Sequence, residues 1–310
     1  MVRVLITLVL SLTISASAWG SSSDSRFQLD KDIGFGLWYR KSLFNNFQEW
    51  GATITSEKTR LGTKALRFET KEGFCGFDKS HSDCRSGRNR HEFSSSLQKD
   101  GKTSFRLGKR YWHAISVYVP SEPIFLEPVE TSIFQFHGQP VAWKFHFDDK
   151  KGFYLTNYIN LSEGRTLQTA KSFVDKWNDI IIEIIHKRDA DGILNIWLNG
   201  EKIVEYTGVT THPGGKPYLK FGIYNTAKPQ GNPKYNEGKN FKNLWAYFDE
   251  IRFAETCEEL KLDDLGYSCP DLISEPVSTS IVEEAEKIWN RKKEMSACSW
   301  PSLRGTDLCK

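Results

Sequence analysis

The sequence lacks the features that mark membrane-spanning, zinc-binding or nucleic-acid-binding proteins. Its one long apolar stretch, residues 4–14 of 310, is too short for a good membrane span. No Cys-x-x-Cys pair occurs, and no histidine has the spacing of a zinc ligand. The net charge of +3 is too small to indicate nucleic-acid binding from bulk electrostatics. Local patterns of residues must therefore carry the information about function.

The first residues predict a secretory signal. Arg3 gives a short positive start, residues 4–14 are apolar, and Ala16-Ser17-Ala18 is a small-x-small cleavage site. We expect residues 1–18 to be removed and the protein to be secreted or periplasmic, and the alternative is an uncleaved membrane anchor. Six cysteines fit an oxidising compartment. Their short spacings predict three local disulfides, Cys75–Cys84, Cys257–Cys269 and Cys298–Cys309.

Most of the chain has the pattern of short β-strands. From about residue 33 to 255, alternating or apolar runs are separated by turn residues, with no repeats and no long helical stretch. Asn199-Gly200 between two such runs predicts a tight hairpin. An aromatic content of 13% suits a sheet with a large core and a sugar-binding face. These patterns predict an all-β sandwich.

The C-terminal residues 257–310 differ and are predicted to form an extension. Residues 270–280, which contain Pro270 and Pro276, are the predicted linker. An amphipathic helix is predicted over 280–296, because apolar residues recur there at helical spacing, at Ile281, Ala285, Ile288 and Trp289. A small loop closed by cysteines would follow that helix.

Three strand-like segments, residues 88–92, 133–137 and 218–224, put polar and apolar residues on opposite faces. This follows because side chains alternate between the two faces of a strand. The predicted polar faces carry Arg88, Arg90, Glu92, Gln135, His137, Tyr218, Lys220 and Tyr224. If the three strands are neighbours, these faces form a surface that could neutralise a carboxylate and move a proton, and that suits an acidic polymer.

These segments resemble the signature regions of β-jelly-roll polysaccharide lyases, including alginate lyases of that fold. The matching text is Arg90-His91-Glu92, Gln135-Phe136-His137 and residues 218–225. The wider pattern is similar to the heparin lyase I-like and glucuronan lyase-like group, and is carried by residues 111–120, 133–138, 177–179, 196–200 and 247–252. The resemblance covers roughly residues 65–255 in order. It implies a two-sheet β-jelly-roll (concanavalin-like) sandwich over residues 30–256.

The resemblance also implies a reaction, the β-elimination of a uronic-acid polymer. Arg90, Gln135 and His137 would stabilise the charge that develops on the substrate carboxylate. Tyr224 would act as base and then as acid, with His137 as the other candidate base. Lys220 would supply a cation beside Tyr224 or bind a carboxylate.

Other expectations concern ligands and partners. The remaining predicted substrate-binding residues are Arg88, Lys144, Tyr218 and Lys228. The lysine-rich loop 228–242 would clamp an acidic chain, or is simply a solvated loop. No cofactor is required, and no calcium-loop motif is present. Acidic residues compatible with a structural calcium ion, which some relatives bind, are Asp148, Asp149, Asp249 and Glu250. We expect a monomer that acts on an acidic polysaccharide and binds neither nucleic acid nor, once the signal is removed, membranes.

Simpler interpretations exist for every one of these residues. Arg90 and Glu92 could be a surface ion pair, His137 a structural histidine, and Tyr224 an ordinary strand aromatic. A non-catalytic, lectin-like jelly roll is therefore the alternative function. A glycoside hydrolase ranks third, because no strand carries the two suitably spaced carboxylates that it needs. The sequence does not distinguish alginate, glucuronan and heparin-like chains as substrates.

Overall fold

The computed structural model describes residues 40–41, 48–77, 82–94, 105–125, 129–138, 140–159, 164–227, 241–274 and 276–277. The predicted signal, the predicted helix 280–296, the pair Cys298–Cys309 and Lys228 lie outside these residues. Within the described ranges, no helix is long and apolar enough to cross a membrane.

The described chain forms two antiparallel sheets, which confirms the predicted two-sheet jelly-roll sandwich. The strands are β1 (Arg40–Lys41), β2 (Ala52–Thr55), β3 (Ala65–Thr70), β4 (Arg88–Ser94), β5 (Arg110–Tyr118), β6 (Val129–His137), β7 (Val141–Asp148), β8 (Gly152–Asn157), β9 (Arg165–Gln168), β10 (Trp177–Ile185), β11 (Gly192–Leu198), β12 (Glu201–Gly208), β13 (Tyr218–Ala227) and β14 (Leu244–Ala254). The first sheet has the order β1-β4-β13-β6-β7-β8-β9. The second sheet has the order β12-β11-β10-β5-β14-β3-β2. One helical turn, α1 (Ala170–Phe173), precedes β10.

Aromatic side chains fill the space between the two sheets. Phe134 and Phe145 of the first sheet stack with ring centroids 3.9 Å apart. Phe68 of the second sheet meets Phe93 and Phe221 of the first edge-on, at 5.1 and 5.7 Å. Burial of apolar area contributes about 25 cal/mol per Å². Because a one-residue slip would turn these rings toward the solvent, the core also fixes which side chains face outward.

Residues after β14 cover the outer face of the second sheet. They form two 3-10 helices, Glu258–Leu260 and Leu262–Leu265, and the short helix α2 (Cys269–Ser274). Leu260 and Leu272 pack there with Trp112 and Trp197 in a second apolar cluster. The indole N–H of Trp197 donates to the carbonyl of Leu272 at 2.7 Å. The predicted linker from Pro270 is therefore wrong at its start, because residues 270–274 are helical and packed.

Two of the predicted disulfides are present, and so is the predicted hairpin. Cys75–Cys84 and Cys257–Cys269 have Cα–Cα distances of 5.3 and 5.9 Å. The Asn199-Gly200 turn joins β11 to β12 with φ angles of 53° and 90°, which this kind of two-residue turn requires.

Two core histidines make the stability of the fold depend on pH. His113 and His186 are fully buried beside Phe105, and their four ring nitrogens have no hydrogen-bond partner in the described structure. Burial lowers the pKa of each to about 3, from 6.5 when exposed. The unfolded chain therefore binds more protons below pH 6.5, and stability is lost as the pH falls from there toward 3.

We expect His186→Phe to weaken this acid sensitivity. His186 already stacks on Phe105 with an interplanar angle of 6°, so a phenyl ring fits the site. Between about pH 6.5 and pH 5, each buried histidine costs roughly 2 kcal/mol of unfolding free energy. Urea unfolding at several pH values should show a smaller loss for the variant. Phe153→Leu, at a core ring that packs on Phe145 and Phe173, should lower stability without changing its pH dependence. An unchanged dependence in His186→Phe would contradict the prediction.

Candidate active site

The three predicted polar strands are neighbours in the first sheet. β13 pairs with β4 on one side and with β6 on the other, and β7 follows β6. In this register Tyr224 lies opposite Arg90 and Ser132, while Gln135 lies between Lys220 and Lys144. With Phe93, Phe134 and Phe221 in the core, the outer face carries Arg90, Glu92, Gln135, Lys144, Lys220 and Tyr224.

Glu92 lies at the centre of this face and is 1% exposed. Its carboxylate accepts hydrogen bonds from Gln135 Nε2 at 2.6 Å and from Lys220 Nζ at 2.8 Å. Arg90 Nη1 is 3.6 Å from Glu92 Oε2. Burial acts to raise the pKa of Glu92, but the charges of Lys220 and Arg90 outweigh it and lower that pKa. The sequence predicts Glu92 on the polar face beside Arg90 but gives it no role in the site. Because Glu92 and Lys220 were both predicted on the polar face, the sequence did indicate that the two could form an ion pair.

Arg90 is held by a carboxylate that the sequence analysis missed. Its Nε and Nη2 donate to Asp83 at 2.7 and 2.6 Å, and its Cζ lies 4.2 Å from the ring centroid of Tyr224. Burial acts to lower the pKa of Arg90, but the charge and hydrogen bonds of Asp83 raise it above its ordinary value. Asp83 is fully buried beside Cys84 in the loop that the Cys75–Cys84 disulfide closes.

Tyr224 lies between two cations. Lys144 Nζ is 4.8 Å from the ring centroid of Tyr224, on which Arg90 also stacks. Tyr224 is 5% exposed. The ring of this tyrosine is therefore enclosed by positive charge.

Lys144 is almost as buried, with 8% of its surface exposed. Burial lowers the pKa of Lys144 to about 8, although the charge of Glu92 acts in the opposite direction. Its ammonium also lies 5.1 Å from the ring centroid of Tyr158. Burial raises the pKa of that tyrosine to about 12.

His137 and Tyr218 lie at the end of the face, opposite each other in β6 and β13. Their ring centroids are 5.1 Å apart. Burial, and then the charge of Lys220, lower the pKa of His137 to about 3, so its imidazole is neutral. Burial, and then the charge of Glu92, raise the pKa of Tyr218 to about 12.

A buried polar network lies next to Tyr224 and was not predicted. Ser132 Oγ is 3.2 Å from His146 Nδ1, and His146 Nε2 is 3.1 Å from Glu130 Oε1. The hydroxyl of Tyr158 donates to the same Glu130 oxygen at 2.9 Å. Burial lowers the pKa of His146 well below its ordinary value. This network connects β6 and β7 beside the Gln135–Lys144 pair, and no short motif marks it in the sequence.

The other predicted ligands are dispersed. Arg88 is half-buried and pairs with Thr226, two residues beyond Tyr224 in β13. The candidate calcium ligands do not come together, since Asp148 ends β7 in one sheet while Asp249 and Glu250 lie in β14 of the other. In the described ranges no three His, Cys, Asp or Glu side chains are grouped so that they could hold a metal ion.

Comparisons with known proteins concern the family and the fold. The family model described as "Polysaccharide lyase" matches residues 25–252. An endo-β-1,4-glucuronan lyase from the fungus Trichoderma reesei is similar in structure, with a TM-score of 0.51, 16% identity, and coverage of 71% of this chain and 91% of that one. An alginate lyase from Corynebacterium sp. has a TM-score of 0.44 and 12% identity, over 66% of this chain and 80% of that one.

At these identities the structural likeness shows the fold alone. No curated protein matches the sequence. The family model, however, covers more than half of the chain. The chain therefore belongs to the polysaccharide lyase family.

Proposed function

We propose that this lyase is secreted and cleaves a uronate-containing polysaccharide by β-elimination on the outer face of the first sheet. The observation that carries the proposal is the position of Tyr224 between Arg90 and Lys144, with Gln135 alongside. A phenol flanked by cations suits the removal of a proton next to a carboxylate. The two disulfides suit an oxidising compartment.

The reaction needs charge stabilisation and one proton carrier. The C5–H bond breaks, its electron pair forms the C4–C5 double bond, and the C4–O bond breaks as the leaving oxygen takes a proton. Negative charge grows on the carboxylate during the first step, so hydrogen-bond donors and cations must face it. A single tyrosine on one side of the sugar can accept the C5 proton and return it to the leaving oxygen.

We assign both proton transfers to Tyr224. His137 is the other candidate base, but a pKa of about 3 makes its neutral imidazole a weak proton acceptor. The phenol of Tyr224, which lies between Arg90 and Lys144 in the middle of the face, is the group placed to carry the proton. His137 is better suited to hydrogen bonding with the substrate from the end of the site.

The role of Arg90 differs from the one that the sequence suggested. Two of its three nitrogens donate to Asp83, and its Cζ lies over the ring of Tyr224. We therefore assign Arg90 to stabilising the phenolate rather than to gripping the substrate carboxylate. Gln135 remains suited to the carboxylate, because Glu92 takes one of its amide hydrogens and so leaves the other available.

A lectin-like protein would need none of this arrangement. Aromatic rings and neutral hydrogen-bonding groups are enough to bind sugars, whereas here a buried tyrosine is enclosed by the cations Arg90 and Lys144. The two functions are separated by the product, because only elimination creates a double bond that absorbs ultraviolet light.

We expect Tyr224→Phe to retain polymer binding and lose turnover by a factor of about 10²–10⁴. The reason is that the variant keeps the ring and its stacked cations but loses the proton carrier. Turnover is measured as the ultraviolet absorbance of the unsaturated product on alginate, glucuronan and heparin-like chains.

Tyr247→Phe, the same change at a buried tyrosine of the second sheet, should leave turnover near the wild-type value. Near-normal turnover in Tyr224→Phe would remove Tyr224 from the mechanism. A wild-type protein that binds these polymers without cleaving any would favour the lectin-like function.

A second expectation concerns Asp83→Asn. Removing one partner of a buried ion pair leaves the other charge uncompensated, which costs about 3–5 kcal/mol of stability. The double variant Asp83→Asn/Arg90→Gln should recover part of this stability, because both charges are gone, but it should remain impaired in turnover. Urea unfolding and the ultraviolet assay on the wild type, Asp83→Asn and the double variant measure the two effects, and full activity in the double variant would refute the assignment of Arg90.

A further inference from the structure

The cations of the site differ in how their charge is balanced. Arg90 faces Asp83, and Lys220 faces Glu92. Lys144 has neither an ion pair nor a hydrogen bond with any residue that the structure describes, and Arg88 likewise lacks an ion pair there. Arg88 lies farther out, opposite Thr226, and is only half-buried. Lys144 is therefore the uncompensated cation at the level of Gln135 and Tyr224.

The buried ammonium of Lys144, which has no ion-pair partner among the described residues, is a favourable binding site for an anion. With 8% of its surface exposed, Lys144 has lost most of its hydration, and this costs free energy that a bound anion would restore. The lowered pKa of Lys144, about 8, reflects this cost. At neutral pH the ammonium still carries its proton, so it can donate a charge-assisted hydrogen bond.

The surroundings of Lys144 indicate which anion fits. Gln135 lies directly beside Lys144, in β6. The amide hydrogen that Gln135 does not donate to Glu92 can be donated to the same anion. Tyr224 lies across the same space, with its ring 4.8 Å from the ammonium. A planar carboxylate held between Lys144 and Gln135 would put the neighbouring carbon near the tyrosine.

We propose that Lys144 receives the carboxylate of the uronate sugar whose C5–H bond is broken, and that it thereby selects ionised uronates over uncharged sugars. This inference rests on the proposed function and deepens it. Lys220 cannot take the same role without giving up Glu92, and Arg90 cannot do so without giving up Asp83.

A rival role for Lys144 is that of proton acceptor. A lysine with a lowered pKa can act as a general base. The two roles differ in when they act, because a base takes part only in turnover, whereas a carboxylate receptor already contributes to the binding of an ionised sugar. Binding to an inactive protein isolates the second role.

The test measures binding in the Tyr224→Phe background, with and without Lys144→Met. The probes are tetrasaccharides of glucuronate and of mannuronate, each with its carboxyl-reduced, uncharged counterpart, titrated by calorimetry. We expect Lys144→Met to weaken binding of the preferred acidic probe by roughly 10- to 150-fold, the effect of one charged hydrogen bond. The uncharged counterpart should change by less than about threefold, because it has no carboxylate to lose.

The matched control is Lys202→Met in the same background. Lys202 has the same 8% exposure but lies in the second sheet, so its loss should leave all four affinities unchanged. Thermal unfolding checks that each protein is folded. An equal loss for charged and uncharged probes, no loss for either, or no binding of any acidic probe before the lysine is changed would overturn the inference. Failure of the proposed function is seen separately, as the absence of unsaturated product from wild-type protein.

Discussion

One buried carboxylate organises the candidate active site. Glu92 is ionised at 1% exposure because Lys220, Gln135 and Arg90 surround it. These three partners come from three different segments of sheet, so the pairing of β4, β13 and β6 and the electrostatics of the site depend on each other. A buried charge without a partner costs folding free energy. A substitution of Glu92 would therefore be tolerated only together with substitutions of its charged partners.

The packing behind this face explains a glycine in the motif Lys-x-Gly-x-Tyr of β13. Gly222 has φ of 132°, and a Cβ there would lie 2.3 Å from the carbonyl oxygen of His91. Any side chain would therefore push β13 away from β4 and separate Lys220 from Glu92.

The sequence predicted which side chains share the surface of the site better than it predicted which of them are in contact. Period-two alternation was enough to put Gln135, Lys220 and Tyr224 on one surface, because the aromatic core permits only one orientation of each strand. It could not show that Asp83 holds Arg90, since Asp83 precedes the strand and its position depends on a loop. The position of Lys144 relative to Tyr224 depends on irregularities in the pairing of β6 with β7 and β13, which no periodicity reveals. The start of the linker at Pro270 was misjudged because proline is accepted in the first turn of a helix.

The loop that carries Asp83 links the orientation of Arg90 to a disulfide. The carbonyl of Asp83 accepts a hydrogen bond from the N–H of Arg88 at the start of β4, and the adjoining residue belongs to the Cys75–Cys84 disulfide. A covalent ring and the sheet together therefore hold the Asp83 carboxylate. Because two nitrogens of Arg90 donate to that carboxylate, the placement of the guanidinium over Tyr224 depends in part on a covalent bond that lies outside both sheets.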